Sequence, residues 1–380
     1  MNIVIRITPM NMLLSFFLFL SLSVALIPYG IDKVAILFYL FMVFVLRGCR
    51  FVIKDISMPF IFIACVFGFL LIANSTSFAL YPHGSILFFY YMFCLAIYSL
   101  VENKYSLNFL RHVLYAILTL LVFGVLFWFL NRLGLSSDYV TSVYEKFDGS
   151  VNAAISFTTT PQVFATYGAL AILITTFFRN YNIGNQKLLL IATVISLVGM
   201  LLSLNRTWLL YLPLLVLFYL GVKAKYVYFI LTFLTLSIGF YFISSNFSVN
   251  DFGTLKSRWD MLNLASDFFS NMSVVNQILG LPYYDNYYYT YHGREFSLVE
   301  NGVFFILINY GYFGLFSYAT FVALVLFYLK SNTMLLFFAS YYYLIVPMLT
   351  HEFYSISFFF VSAVILSMMS FEKNARNYYV

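Results

Sequence analysis

Val-Glu-Asn-Gly-Val at 299–303 sets the carboxylate of Glu300 at the start of an apolar stretch with no further charge until Lys330. A carboxylate at a dry boundary is partly desolvated, which raises its pKa toward the range useful for a general base. The same position suits an acid that caps a helix, because the dipole favours negative charge there. Complementary positive charge is available from Arg132, Arg206, Arg258 and Arg294. Arg206 lies in Ser-Leu-Asn-Arg-Thr-Trp (203–208), a turn between two apolar runs with almost no loop. A guanidinium fork matches phosphate oxygens in two-point contact. The competing reading is an arginine snorkelling among lipid headgroups. Arg258 sits in Leu-Lys-Ser-Arg-Trp-Asp (255–260), where Lys256, Arg258 and Asp260 alternate as on a solvated surface. Arg294 stands near His292 and follows a run of tyrosines that begins at Tyr283. Such tyrosines either stack on sugar rings or rest at a membrane interface.

Other chemistries find no support. The phosphate-binding and dinucleotide-binding glycine patterns are absent, and His351-Glu352 lacks the second histidine of a zinc-protease motif. No Asp-x-Asp occurs, so a sugar-nucleotide site built on a divalent metal is not expected, nor is any cofactor. Cys49, Cys65 and Cys94 fall in or beside apolar runs and imply no disulfide framework.

The elements that must position these residues are membrane helices. In 380 residues, 63% hydrophobic and 9% charged with a mean hydropathy of +0.92, there is no room for a sizeable soluble domain. On a length of ~20 apolar residues, with ~17 as the practical minimum, the chain reads as one all-α transmembrane domain, 1–380, of about twelve spans. These run near 12–28, 33–50, 58–74, 85–101, 112–130, 161–178, 188–204, 207–222, 226–245, 302–329, 333–350 and 354–371. Lysine and arginine fall on alternate loops: Arg47, Arg50 and Lys54; Lys104 and Arg111; Arg179 and Lys187; Lys223 and Lys225; Lys330; Lys373 and Arg376. Cytoplasmic loops attract such charges, so both termini are expected in the cytoplasm. The net charge of +6 then divides into about +10 on that side and about −4 on the other, so the basic balance reflects topology and no nucleic-acid partner is expected. Two outward loops are long enough to carry chemistry, 131–160 and 245–299. Phe268, Phe269 and the stretch Val274 to Leu281 argue against disorder in the second. Gly311 and Gly314 either let helices approach closely or let 302–329 bend into a short outer helix and a true span.

Glu300-Asn301, nine residues, Gly311, two residues and Gly314 resembles a motif of bacterial O-antigen ligases and polymerases. Arg206 and Leu210 resemble the arginine–three residues–leucine element of the same superfamily. Glutamate stands where the ligases usually carry histidine, so the likeness points to the O-antigen polymerase (Wzy-type) branch. That resemblance implies a metal-independent, C-type glycosyltransferase-like fold in the bacterial inner membrane. It also implies a polymerase joining undecaprenyl-diphosphate-linked repeat units at the periplasmic face. The implied site has Glu300, Arg206 and Arg258 as catalytic residues, with Arg294, Asn301, His292, Tyr283 and Arg132 binding substrate. A chain-length regulator is the protein partner it implies, beside the bilayer itself. The alternatives are a flippase for lipid-linked oligosaccharides and an O-antigen ligase. A flippase should carry charges inside its spans and short loops on both sides, whereas here the outward loops are long.

Overall fold

The computed structural model describes residues 9–23, 31–46, 103–135, 143–146, 151–158, 160–222, 226, 253–281, 289–291, 294–296, 301–349 and 356–379. Glu300, His292 and Tyr283 lie outside them, as do the expected spans 58–74, 85–101 and all but the first residue of 226–245. In chain order the elements are α1 (Pro9–Leu22), α2 (Ile31–Leu46), α3 (Asn103–Arg132), β1 (Val143–Lys146), β2 (Val151–Ala154), α4 (Pro161–Asn180), α5 (Gln186–Leu202) and α6 (Arg206–Tyr219). There follow α7 (Gly253–Ser270), α8 (Val274–Leu279), β3 (Tyr289–Tyr291), β4 (Arg294–Phe296), α9 (Gly302–Leu329), α10 (Thr333–Ser340), a π-helical turn (Tyr341–Ile345), α11 (Val346–Leu349) and α12 (Ile356–Tyr379).

The fold is mostly helical. Two antiparallel hairpins, β1–β2 and β3–β4, depart from the all-α expectation. Segments Leu107–Arg132, Pro161–Asn180 and Gly302–Leu329 are long and apolar enough to cross a membrane, and several shorter apolar helices accompany them. These mark a membrane protein.

The chain divides into two units: Met1–Ile53, Ala96–Val222 and Phe359–Val380 form one, Lys54–Leu95 and Lys223–Phe358 the other. The first unit is built around α4, which is buried from Val163 to Phe178 on every face. Local signals set its boundaries. Thr160 accepts the Val163 N–H at 3.2 Å and Pro161 occupies the first helical position, where its missing N–H costs nothing. Asn185 caps α5 and Asn205 caps α6 through their side-chain oxygens. Leu204, at φ 50°, supplies the left-handed step that turns α5 into α6 within three residues.

Hydrogen bonds between helix ends fix the directions in this unit. Trp208 Nε1 donates to Thr166 Oγ1 at 2.8 Å, and Arg179 Nη1 donates to the Tyr219 carbonyl at 2.6 Å. Each bond joins equivalent ends of α4 and α6, so the two helices run parallel, with α5 returning between them in sequence. At the Arg179 end, the Tyr181 hydroxyl donates to Glu372 Oε1 at 2.9 Å and ties α12 to the same group. Elsewhere, His112 of α3 bonds Tyr39 of α2 and Asn11 of α1, both at 3.2 Å.

In the second unit 253–281, which the sequence placed in an outward loop, is folded. Ala265, Phe269 and Ile308 form a small core to which Met261, Phe268, Met272, Leu281, Phe304 and Leu307 add, so α7 packs on the first part of α9. Gln277 closes the C-terminus of α7, donating its amide to the carbonyls of Phe269, Ser270 and Met272.

Of the two ways to use Gly311, the protein takes the bend. Gly311 has φ 64° and ψ −167°, a conformation essentially confined to glycine, and it breaks α9 into a short helix and a longer one. The longer piece, 312–329, measures ~27 Å at 1.5 Å per residue, close to the ~30 Å of a hydrocarbon core. α8 lies against the break, where Leu281 N–H donates to the Ile308 carbonyl at 2.8 Å.

Candidate functional site

Arg206 is the first residue of α6, and its side chain is exposed. Because α4 and α6 are parallel, their N-termini open toward one end of the first unit. The positive dipole ends of two helices thus share a neighbourhood with a guanidinium, an arrangement suited to an anion. Arg132, at the last turn of α3, lies at this same end. A side chain on Gly124, two turns before Arg132, would collide with the Phe164 ring at the start of α4 and approach Ser156. The β1–β2 hairpin covers this end: Trp128 Nε1 donates to the Asn152 carbonyl at 2.8 Å, and Asn152 Nδ2 donates to Asn131 Oδ1 at 2.6 Å. The Arg132 guanidinium stacks over Trp128 at 5.3 Å from the ring centre.

The sequence reading missed three side chains at this end. Asn152 fastens the hairpin. Ser156 Oγ and Gln162 Nε2 are buried without a hydrogen-bond partner. Gln162 stands one turn before Thr166, on the row that meets Trp208. The N-cap signature Thr160-Pro161 would have located Gln162 in the first turn of a helix.

Arg258, Arg294 and Asn301 belong to the second unit. Asn301 is the N-cap of α9: its Oδ1 accepts the N–H groups of Val303 and Phe304 at 3.0 and 3.1 Å. Its Nδ2 donates to the Met348 carbonyl at 2.7 Å, which pins the start of α9 to α11. The cap role considered for Glu300 is therefore filled by its neighbour, one residue later. Asn301, expected to bind substrate, has its amide committed to the fold.

The 255–260 stretch is helical, which replaces the alternation of Lys256, Arg258 and Asp260 by a period of 3.6. Arg294 opens strand β4, opposite Tyr291 of β3. Among the described residues no cluster of histidine, cysteine, aspartate or glutamate could hold a metal ion. No protein-family model matches the chain, and no curated protein matches it.

Proposed function

We propose that this protein is a glycosyltransferase of the O-antigen polymerase type, acting on polyprenyl-diphosphate-linked repeat units at the outer face of the bacterial inner membrane. The observation that carries the reading is the pair of parallel helix N-termini, α4 and α6, with Arg206 at the mouth of the second. Transfer of a sugar from a lipid diphosphate expels a highly charged leaving group. Fixed positive charge at that point lowers the barrier; losing one preorganised donor costs ~3–4 kcal/mol in well-studied sites.

In the proposed step the acceptor hydroxyl oxygen bonds to the anomeric carbon of the donor. The bond from that carbon to the diphosphate oxygen breaks, and its electron pair leaves with the lipid diphosphate. Glu300 takes the hydroxyl proton, a contribution of ~10²–10⁴-fold for a positioned base. Arg206 and Arg258 neutralise the diphosphate, while Arg132, Arg294, His292 and Tyr283 contact the glycan. Asn301 acts by fixing the turn that follows Glu300. The donor is the growing chain on its carrier, the acceptor a single lipid-linked unit, and a chain-length regulator is the protein partner this reading calls for.

The test is incubation of the purified full chain with synthetic lipid-diphosphate repeat units without added metal. A ladder of products is expected, and Glu300→Gln should abolish it while insertion and protein level stay normal. Movement of the lipid-linked unit across vesicles without any ladder would establish the flippase instead, and transfer only onto lipid A the ligase.

A further inference from the structure

Arginines near helix ends in the first unit are satisfied in different degrees. Arg179 donates to the Tyr219 carbonyl and stacks on that ring at 4.6 Å. Arg111, eight residues into α3, makes one long bond, from Nη1 to Asn108 Oδ1 at 3.4 Å. Its Nε and Nη2 are buried with no partner, and among the described residues it is the one charged side chain so placed. A permanently charged fork with two unused, shielded donors requires an anion, and neither Asn108 nor the neighbouring His112 is one. Nε and an Nη are the pair that grip two oxygens of a phosphate at once.

The surroundings say which anion. Arg111 heads a row on α3 that continues through Tyr115, Thr119, Val122 and Leu126 at helical spacing. Tyr115 is half-buried, and Thr119, Val122 and Leu126 are exposed. Thr119 turns its hydroxyl back to the Tyr115 carbonyl at 2.8 Å, so beyond Tyr115 the row offers no free donor to a ligand. The opposite face, including Val113, Ile117, Leu120 and Leu121, is fully buried against the unit. From Arg111 to Val122 the row runs ~16 Å, about half of a hydrocarbon core and so about one leaflet.

We propose that this row is a lipid-binding site, with the Arg111 fork holding the phosphate of a membrane phospholipid and an acyl chain lying along Tyr115, Thr119 and Val122. By the charge alternation the site faces the cytoplasmic leaflet. It stands apart from the transferase reading and survives its failure.

The probe is phosphatidylglycerol. Native mass spectrometry of the full chain in detergent should find one such lipid retained through delipidation. Arg111→Gln should weaken retention by about tenfold or more, and Arg111→Lys, which keeps the charge but not the fork, by less. Diacylglycerol, with the same tails and no phosphate, should not be retained. Thermal unfolding of the unmodified protein gives a second readout should a variant fail to fold. Short-chain phosphatidylglycerol should raise the Tm, and glycerol phosphate at equal concentration should not. Equal retention by Arg111→Gln, equal retention of diacylglycerol, or equal stabilisation by glycerol phosphate would each overturn the proposal; the last would mark a free-anion site.

Discussion

Gly311 of α9 lies so close to the Ile278 carbonyl of α8 that no side chain fits between them. The same contact is reciprocated two residues on, where Gly280 faces the backbone of Asn309 and Tyr310. Backbone against backbone at a bend seats α8 on α9, beside the side-chain core that holds α7 there.

Gly311→Ala should therefore be severe. It combines a φ of +64° that alanine avoids with a collision against the Ile278 and Gln277 backbone. The strain alone is worth about 1–3 kcal/mol, and displacement of α8 adds to it. Thermal unfolding in detergent should show the loss, with limited proteolysis opening first near 274–281.

Asn301 separates into two contributions. Asn301→Ser keeps the cap and loses the donor to Met348, so about 1 kcal/mol should go. Asn301→Ala loses both, and the cap alone is worth about 0.5–2 kcal/mol. Chemical denaturation should rank the alanine variant below the serine variant.

Trp208 and Thr166 should behave as one interaction. Trp208→Phe and Thr166→Val each remove the same bond, for about 1 kcal/mol. The double variant should cost clearly less than the sum, the mark of coupling in a double-mutant cycle.

Arg206→Gln should lower product-ladder formation by about 10²–10³-fold, far beyond any loss of stability at an exposed helix start. Arg206→Lys should recover part of the rate. Rates measured beside unfolding curves separate this outcome from simple misfolding.

Sidedness is checked by labelling. Cysteines at Arg206 and at Arg132 should react with an impermeant thiol reagent from one side of the membrane, and a cysteine at Lys187 only from the other.

Helices α3 to α6 were largely legible, because long apolar runs announce their content, whereas α7 and α8 fall in the stretch expected to be an outward loop. Edges defined by charge misled. The span expected at 112–130 begins at Asn103, since a helix carries Lys104 and Arg111 where a hydropathy window stops. That shift hid Arg111, which reads as a loop residue until the helix continues beneath it. The bend at Gly311 was visible only as one of two uses of a small residue, because spacing does not encode φ. The alternation of Lys256, Arg258 and Asp260 misled for a similar reason: it has meaning only once the local period is known. Contacts such as Asn301 with Met348 or Gln277 with three carbonyls depend on tertiary approach and leave no trace in a single sequence.

The Tyr181–Glu372 bond joins residues 191 positions apart, and the first unit resumes at Phe359 only after the second has been synthesised. Assembly of that unit consequently waits for the ribosome. The C-terminal end of α4 must wait for its α12 partner until residue 372 is made, a long-range closure that is slow by topology alone. Chains stalled before residue 359 should be the natural substrates of membrane quality control, and a translation pause in the second half of the message would lengthen that wait.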